Sequence, residues 1–185
     1  TPPYSSAASD VYKRQVLRTD PKSTNIPKLI KDVEAQTKVD LKEDLKLLEG
    51  VWELKWSSSK QPWLKQAPWL DNLQVLDPQR KRAVNLLKLR GSVGNIAVIT
   101  VEAELTVDND HRIGVKFVKG GWVGPTIMNG WRPKLLANVN QTFPAWLEIT
   151  SLDDTLRICR GNAGTCFCLT KRSDLKIEDW IPRKK

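Results

Sequence analysis

Histidine occurs once in these 185 residues and cysteine three times, and that scarcity removes most enzyme chemistry before any motif is sought. His111 sits in Asp108-Asn109-Asp110-His111, a run of turn-forming side chains, so it reads as the solvated tip of a hairpin and not as a general base. No Ser/His/Asp or Cys/His arrangement can be built without it, and nothing around Ser57-Ser58-Ser59 resembles a nucleophile elbow. Asp153-Asp154 fails as an acid/base pair because adjacent strand residues point to opposite faces and cannot share a proton. It reads as a β-turn. Three thiols with no nearby histidine or fourth ligand make a poor zinc site. The chain is therefore read as a non-enzyme, with no cofactor and no metal.

Long apolar runs are also missing. None approaches the roughly 20 residues of a membrane-spanning helix. Acidic excess is absent too: the formal charge is +9, and its densest basic spot is Arg80, Lys81 and Arg82 with Lys88 and Arg90, beside a turn at Asp77-Pro78. Such a patch suits anionic lipid or a partner surface. Without an aromatic RNA-binding pattern, a helix-turn-helix signal or zinc-finger spacing, nucleic acid is not among the expected partners.

The odd cysteine count does not read as a secreted disulfide framework. Cys166 and Cys168 fall on one face of a strand, and a four-residue turn, Gly161 to Gly164, would set Cys159 across from Cys166. Two readings stand: three small buried hydrophobes, or a Cys159/Cys166 disulfide acting as a redox latch.

What is present is a change of period. Residues 1–19 open on Thr-Pro-Pro and are rich in Ser and Ala, with Lys13, Arg14 and Arg18 against Asp10. They read as a disordered remnant of a transit peptide, or as a stretch foreign to the domain. Residues 20–49 form a helical leader. Leu29, Ile30 and Val33, then Val39, Leu41, Leu45, Leu47 and Leu48, have helix spacing with a charged outer face, and should lie across a barrel end.

From Gly50 the period becomes two, with turns every ten residues or so, which predicts an antiparallel all-β domain over residues 50–172. Strands are expected near Val51 to Ser57, Leu73 to Leu76, Arg82 to Leu89, Ala97 to Val107, Arg112 to Lys119, Trp146 to Ser151, Thr155 to Arg160 and Thr165 to Lys171. Eight strands enclose an interior just wide enough for side chains or one ligand. Gly50, Trp52 and Arg160 are expected to plug one end, the indole closing it and the guanidinium lying on the indole. Residues 173–185 read as a strap ending in a basic tip.

Eight tryptophans are the remaining anomaly. Trp52 and Trp56, four apart on one strand, should share its inward face. Trp63 and Trp69 occupy one long loop, and Trp122, Met128, Trp131 and Phe143 another. Loops this long and aromatic usually cover something. Indoles at a barrel mouth suit an apolar ligand or a lipid surface.

Residues from about Leu48 to Thr170 resemble the plastid lipid-associated protein family, the plastid fibrillins. The blocks that carry the likeness are Leu47-Leu48-Glu49-Gly50-Val51-Trp52-Glu53-Leu54 with Ser57-Ser58-Ser59, then Arg82-Ala83-Val84-Asn85-Leu86, Val101-Glu102-Ala103-Glu104-Leu105, and Leu152-Asp153-Asp154-Thr155-Leu156-Arg157-Ile158-Cys159-Arg160-Gly161-Asn162. The resemblance implies a lipocalin-like barrel, location in the plastid on the stromal side of thylakoid or plastoglobule, and binding of prenylquinones, carotenoids or acyl lipids. On that reading Trp56, Trp122, Trp131, Met128, Phe143 and Arg157 would contact the ligand, Arg157 or Arg160 orienting its head group at the rim. Arg80, Lys81, Arg82, Trp63 and Trp69 would meet the membrane or a partner. The alternative is an interaction protein with a filled barrel, docking on a photosynthetic membrane complex through its basic rim and aromatic loops.

Overall fold

The computed structural model describes residues 6–20, 22–64, 67, 69–90, 98–124 and 133–182, with side chains from Val11 onward except that of Trp63. Among these lie three α-helices, α1 (Ser6–Thr19), α2 (Ile26–Glu34) and α3 (Leu41–Leu48), followed by nine strands: β1 (Gly50–Ser57), β2 (Leu70–Asp77), β3 (Arg82–Leu89), β4 (Val98–Val107), β5 (Arg112–Val123), β6 (Lys134–Asn138), β7 (Ala145–Leu152), β8 (Leu156–Gly161) and β9 (Cys166–Lys171). The molecule is mainly β, as the alternation predicts.

All strand pairs are antiparallel. They run in the order β4-β3-β2-β1-β9-β8-β7-β5-β6, and a further β4–β5 ladder closes eight of them into a ring, with β6 paired to β5 alone among the described residues. Closure removes the unpaired edges that an open sheet would expose. β5 is shared: its first residues, Arg112 to Val115, pair with β7, and its last, Lys119 to Val123, with β6. Between them the side chain of Gln141 continues the ladder, accepting from the Phe117 amide at 2.6 Å and donating to the Val115 carbonyl at 3.2 Å.

Eight strands were expected and nine are found, β6 being the addition. Leu135 is three-quarters exposed, so β6 carries no buried alternation to reveal it. The first nineteen residues also differ from expectation, since α1 is helical and packs on α2 and β9. Leu17 is fully buried there.

The helices start where local chemistry allows. Asp40 caps α3 by accepting from the Lys42 amide at 2.9 Å, and Glu43 and Asp44 in the first turn suit the positive end of the helix dipole. Pro27 stands in the first turn of α2, where its missing N–H has no partner to lose.

Three apolar clusters result. One fills the closed end of the ring, where Leu41 and Leu48 of α3 meet Trp52, Leu105, Ile113 and Ile149. A second lies outside the sheet, between α1 and α2 and the outer face of β8 and β9. The third lies under the C-terminal segment, where Ile181 with Leu175, Ile177 and Trp180 covers Val51, Leu73, Val75, Val84 and Leu86.

Candidate functional site

The closed end is built around Trp52. Gly50 enters β1 at φ +145°, a conformation that side chains rarely adopt, and a Cβ there would meet Cε of Lys171 at 3.1 Å. Two residues on, the fully buried indole of Trp52 donates to the Leu48 carbonyl at 2.9 Å. The cation over it is Arg157, at 5.0 Å from the ring centroid, joined by Lys171 at 4.9 Å. Arg160 is not part of this plug. It is one residue out of phase with Arg157, so it faces outward and grips Glu34 of α2 through two bonds of 3.0 and 2.6 Å. This fork-to-carboxylate clamp raises the Arg160 pKa further, and Thr150 adds a bond to the same carboxylate at 2.7 Å.

Arg157 therefore sits far from any rim. It is fully buried, and burial lowers its pKa. Its Nη2 donates to Oε1 of Gln74, while Nε and Nη1 have no hydrogen-bond partner among the described residues.

Trp56 does not face inward either. The β1–β9 register shifts between Leu54 and Trp56, and this bulge turns Trp56 out of phase with Trp52. It packs instead against the outer cluster under α1 and α2.

Above the plug the ring is open. A cavity of about 420 Å³ runs between β2, β3, β4 and β5, with Leu64, Leu87, Ile99, Val101, Phe117 and Val139 in its wall and Asn72, Gln74 and Asn85 at its floor. Register explains the lining. Gln74 pairs with both Trp52 and Asn85, and Asn85 with Val101, so these positions share the inward face. The three carboxamides and Phe117 escaped the sequence reading. Their signal, polar residues alternating with apolar ones on β2 and β3, resembles that of an ordinary solvent-facing strand.

At the mouth Trp122 pairs with Ile99 and Leu135. They are 38%, 56% and 75% exposed, and Trp69, at the start of β2, is 62% exposed. Phe143 is exposed as well, ahead of β7. Met128 and Trp131 lie outside the described residues, as does the side chain of Trp63.

The basic cluster is divided: Lys88 and Arg90 lie at the mouth end of β3, Arg90 bonded to Asp71 and Glu53, while the other three lie at the opposite end. Arg80, Lys81 and Arg82 follow the β2–β3 turn beside Leu76, which pairs with Gly50 at the plug. Arg80 is bound to Asp77 and to the Ile181 carbonyl, and Arg82 lies 3.8 Å from Glu102. Lys81 alone of the three is left in solvent. The expected contact surface thus divides between two ends of the ring.

The thiols are free, and no latch joins them. Arg160 pairs with Cys166, and Cys159 with Phe167. Three residues, not four, separate the last pair, Gly161 and Thr165. Cys159 points into the ring and Cys166 out, so a bridge would have to cross the sheet. Burial raises the pKa of Cys159, and takes Cys166 and Cys168 to about 12. Among the described residues no group of three or more His, Cys, Asp or Glu could hold a metal. His111 is half exposed, with Nε2 3.6 Å from Glu148.

Asp153 has a structural task. Its Oδ1 accepts from the amides of Thr155 and Leu156, each at 2.7 Å, and from the Thr155 hydroxyl at 2.9 Å. Its Oδ2 accepts from Arg14 of α1 at 2.6 Å.

A family model for PAP_fibrillin matches residues 10–170. The chain belongs to that family, the plastid lipid-associated proteins. A search among curated proteins found no match. The fibrillin match spans α1 to β9 and so takes in the plug, the cavity wall and the helices outside the sheet. Fibrillins are in general structural, lipid-associated proteins of plastids, not enzymes. No described helix is long and apolar enough to cross a membrane.

Proposed function

We propose that this fibrillin holds or carries an apolar molecule, a prenylquinone, carotenoid or acyl lipid, at the stromal surface of thylakoids or plastoglobules. The observation that carries this reading is the 420 Å³ apolar-walled cavity opening at an apolar mouth. Its size falls in the range of about 300–1,000 Å³ common for small-molecule sites. Each Å² of ligand surface withdrawn from water is worth about 25 cal/mol before the costs of binding are subtracted. Exposed Trp69, Ile99, Trp122 and Leu135 favour delivery from a lipid surface, because an indole suits the boundary between hydrocarbon and water.

The reading of a ligand-free docking protein draws support from the same exposed indoles. It calls for a barrel filled by its own side chains, and the 420 Å³ cavity favours the carrier reading instead. The test is a lipid inventory. Organic extraction of the protein purified from plastids should release a stoichiometric lipid or quinone, which on re-addition quenches tryptophan fluorescence. An empty extract together with no quenching by any of the three lipid classes would rule out carriage.

A further inference from the structure

The cavity floor has a donor character that its walls lack. Arg157 lies behind it, fully buried, with Nε and Nη1 unpartnered and no carboxylate paired with it among the described residues. A guanidinium only donates. Gln74 must therefore turn its oxygen toward Arg157, which leaves its NH2 group for the cavity that Gln74 lines. Asn85 stands directly across from Gln74, and Asn72 two residues farther along β2. An uncompensated positive charge in a low-dielectric interior reinforces these donors. Beside them Val101, across from Asn85, and Phe117 are apolar; toward the mouth Leu87 and Ile99 are too.

We propose that the cavity takes a long-chain carboxylate with its head group down, its oxygens at Gln74 and Asn85 and its chain rising past Leu87 and Ile99 to the mouth. This rests on the carrier reading above and adds the head-group chemistry and the direction of entry. The shared chemistry is an accepting oxygen, which a quinone also offers. The buried charge of Arg157 favours the ionised acid.

The test uses the delipidated full chain and stearic acid carrying a nitroxide near its carboxyl or near its terminal methyl. Accessibility to a water-soluble paramagnetic reagent should be low for the first label and high for the second. Stearate should bind at least about tenfold more tightly than stearylamine or stearyl alcohol. Asn85→Asp, nearly isosteric, should weaken stearate by a similar factor and a neutral prenylquinone, which meets no charge repulsion, far less, a difference that mere unfolding would not produce.

Reversed accessibilities would overturn the orientation, and equal affinity for acid and amine would overturn the head group, while cavity binding itself would stand in both cases. Failure of stearate, prenylquinone and carotenoid alike to bind would overturn this proposal and the carrier reading together.

Discussion

Gly50 and Trp52 act as a unit because the backbone turn at the first sets the depth of the second. A Cβ at Gly50 would be held at φ +145° against the Lys171 stem. Gly50→Ala should therefore cost about 1–3 kcal/mol in chemical denaturation, and Lys171→Ala in that background should relieve the clash but not the backbone strain. The cysteines give a second prediction at this scale. With Cys166 and Cys168 raised to about 12 by burial, a thiolate-directed reagent at pH 8 should leave all three thiols of the folded protein unmodified and label all three after denaturation. Labelling of the native protein at a rate near that of a free thiol would contradict the packing under α1 and α2.

At the scale of elements, α1 is held by polar contacts as well as by buried Leu17. Burial pushes the Asp153 carboxyl upward, but the amides of Thr155 and Leu156, the Thr155 hydroxyl and Arg14 together outweigh it and leave the pKa below the usual range. A carboxyl depressed on folding stabilises above its unfolded pKa of about 3.9, and that contribution is lost as pH falls through the folded value. Docking of α1 should thus be insensitive to pH near neutrality and weaken only below about pH 4. Asp153→Asn should remove about 1–2 kcal/mol at neutral pH, flatten that acid limb, and speed hydrogen exchange in α1 before the ring.

The elements also show how far the sequence could be read. Period two and turn spacing were sufficient for eight strands, although β1, β8 and β9, covered outside by the helices and the C-terminal segment, are buried on both faces. They failed wherever the backbone gains or loses a residue. The bulge after Leu54 reverses Trp56, and the three-residue loop after Gly161 moves Cys159 opposite Phe167. Neither leaves a mark in composition. Arg160 and Arg157 were exchanged for the same reason, since face depends on register and register on a single residue. The polar floor was hidden because Asn72, Gln74 and Asn85 look solvated until the ring closes around them.

For the whole molecule the question is what occupies the ring. If the cavity is the ligand site, filling it with protein should abolish uptake without harming the plug. Val101→Trp places an indole in the wall directly across from Asn85. The variant should fold, carry no extractable lipid and lose the ligand-dependent gain in stability, which for the native chain is about 2.7 kcal/mol at a hundredfold excess over Kd. A lipid retained at native stoichiometry would put the site elsewhere, with the exposed mouth as its first alternative.

Gln141 adds a last point. β5 is fastened to β7 up to Val115 and to β6 from Lys119, and between these ladders the Gln141 carboxamide and the Val139 amide, which donates to the Val118 carbonyl at 3.0 Å, span the join. A side chain can change rotamer without unzipping a ladder, so the wall can loosen here at the cost of a few hydrogen bonds. Passage in and out need not be only through the top.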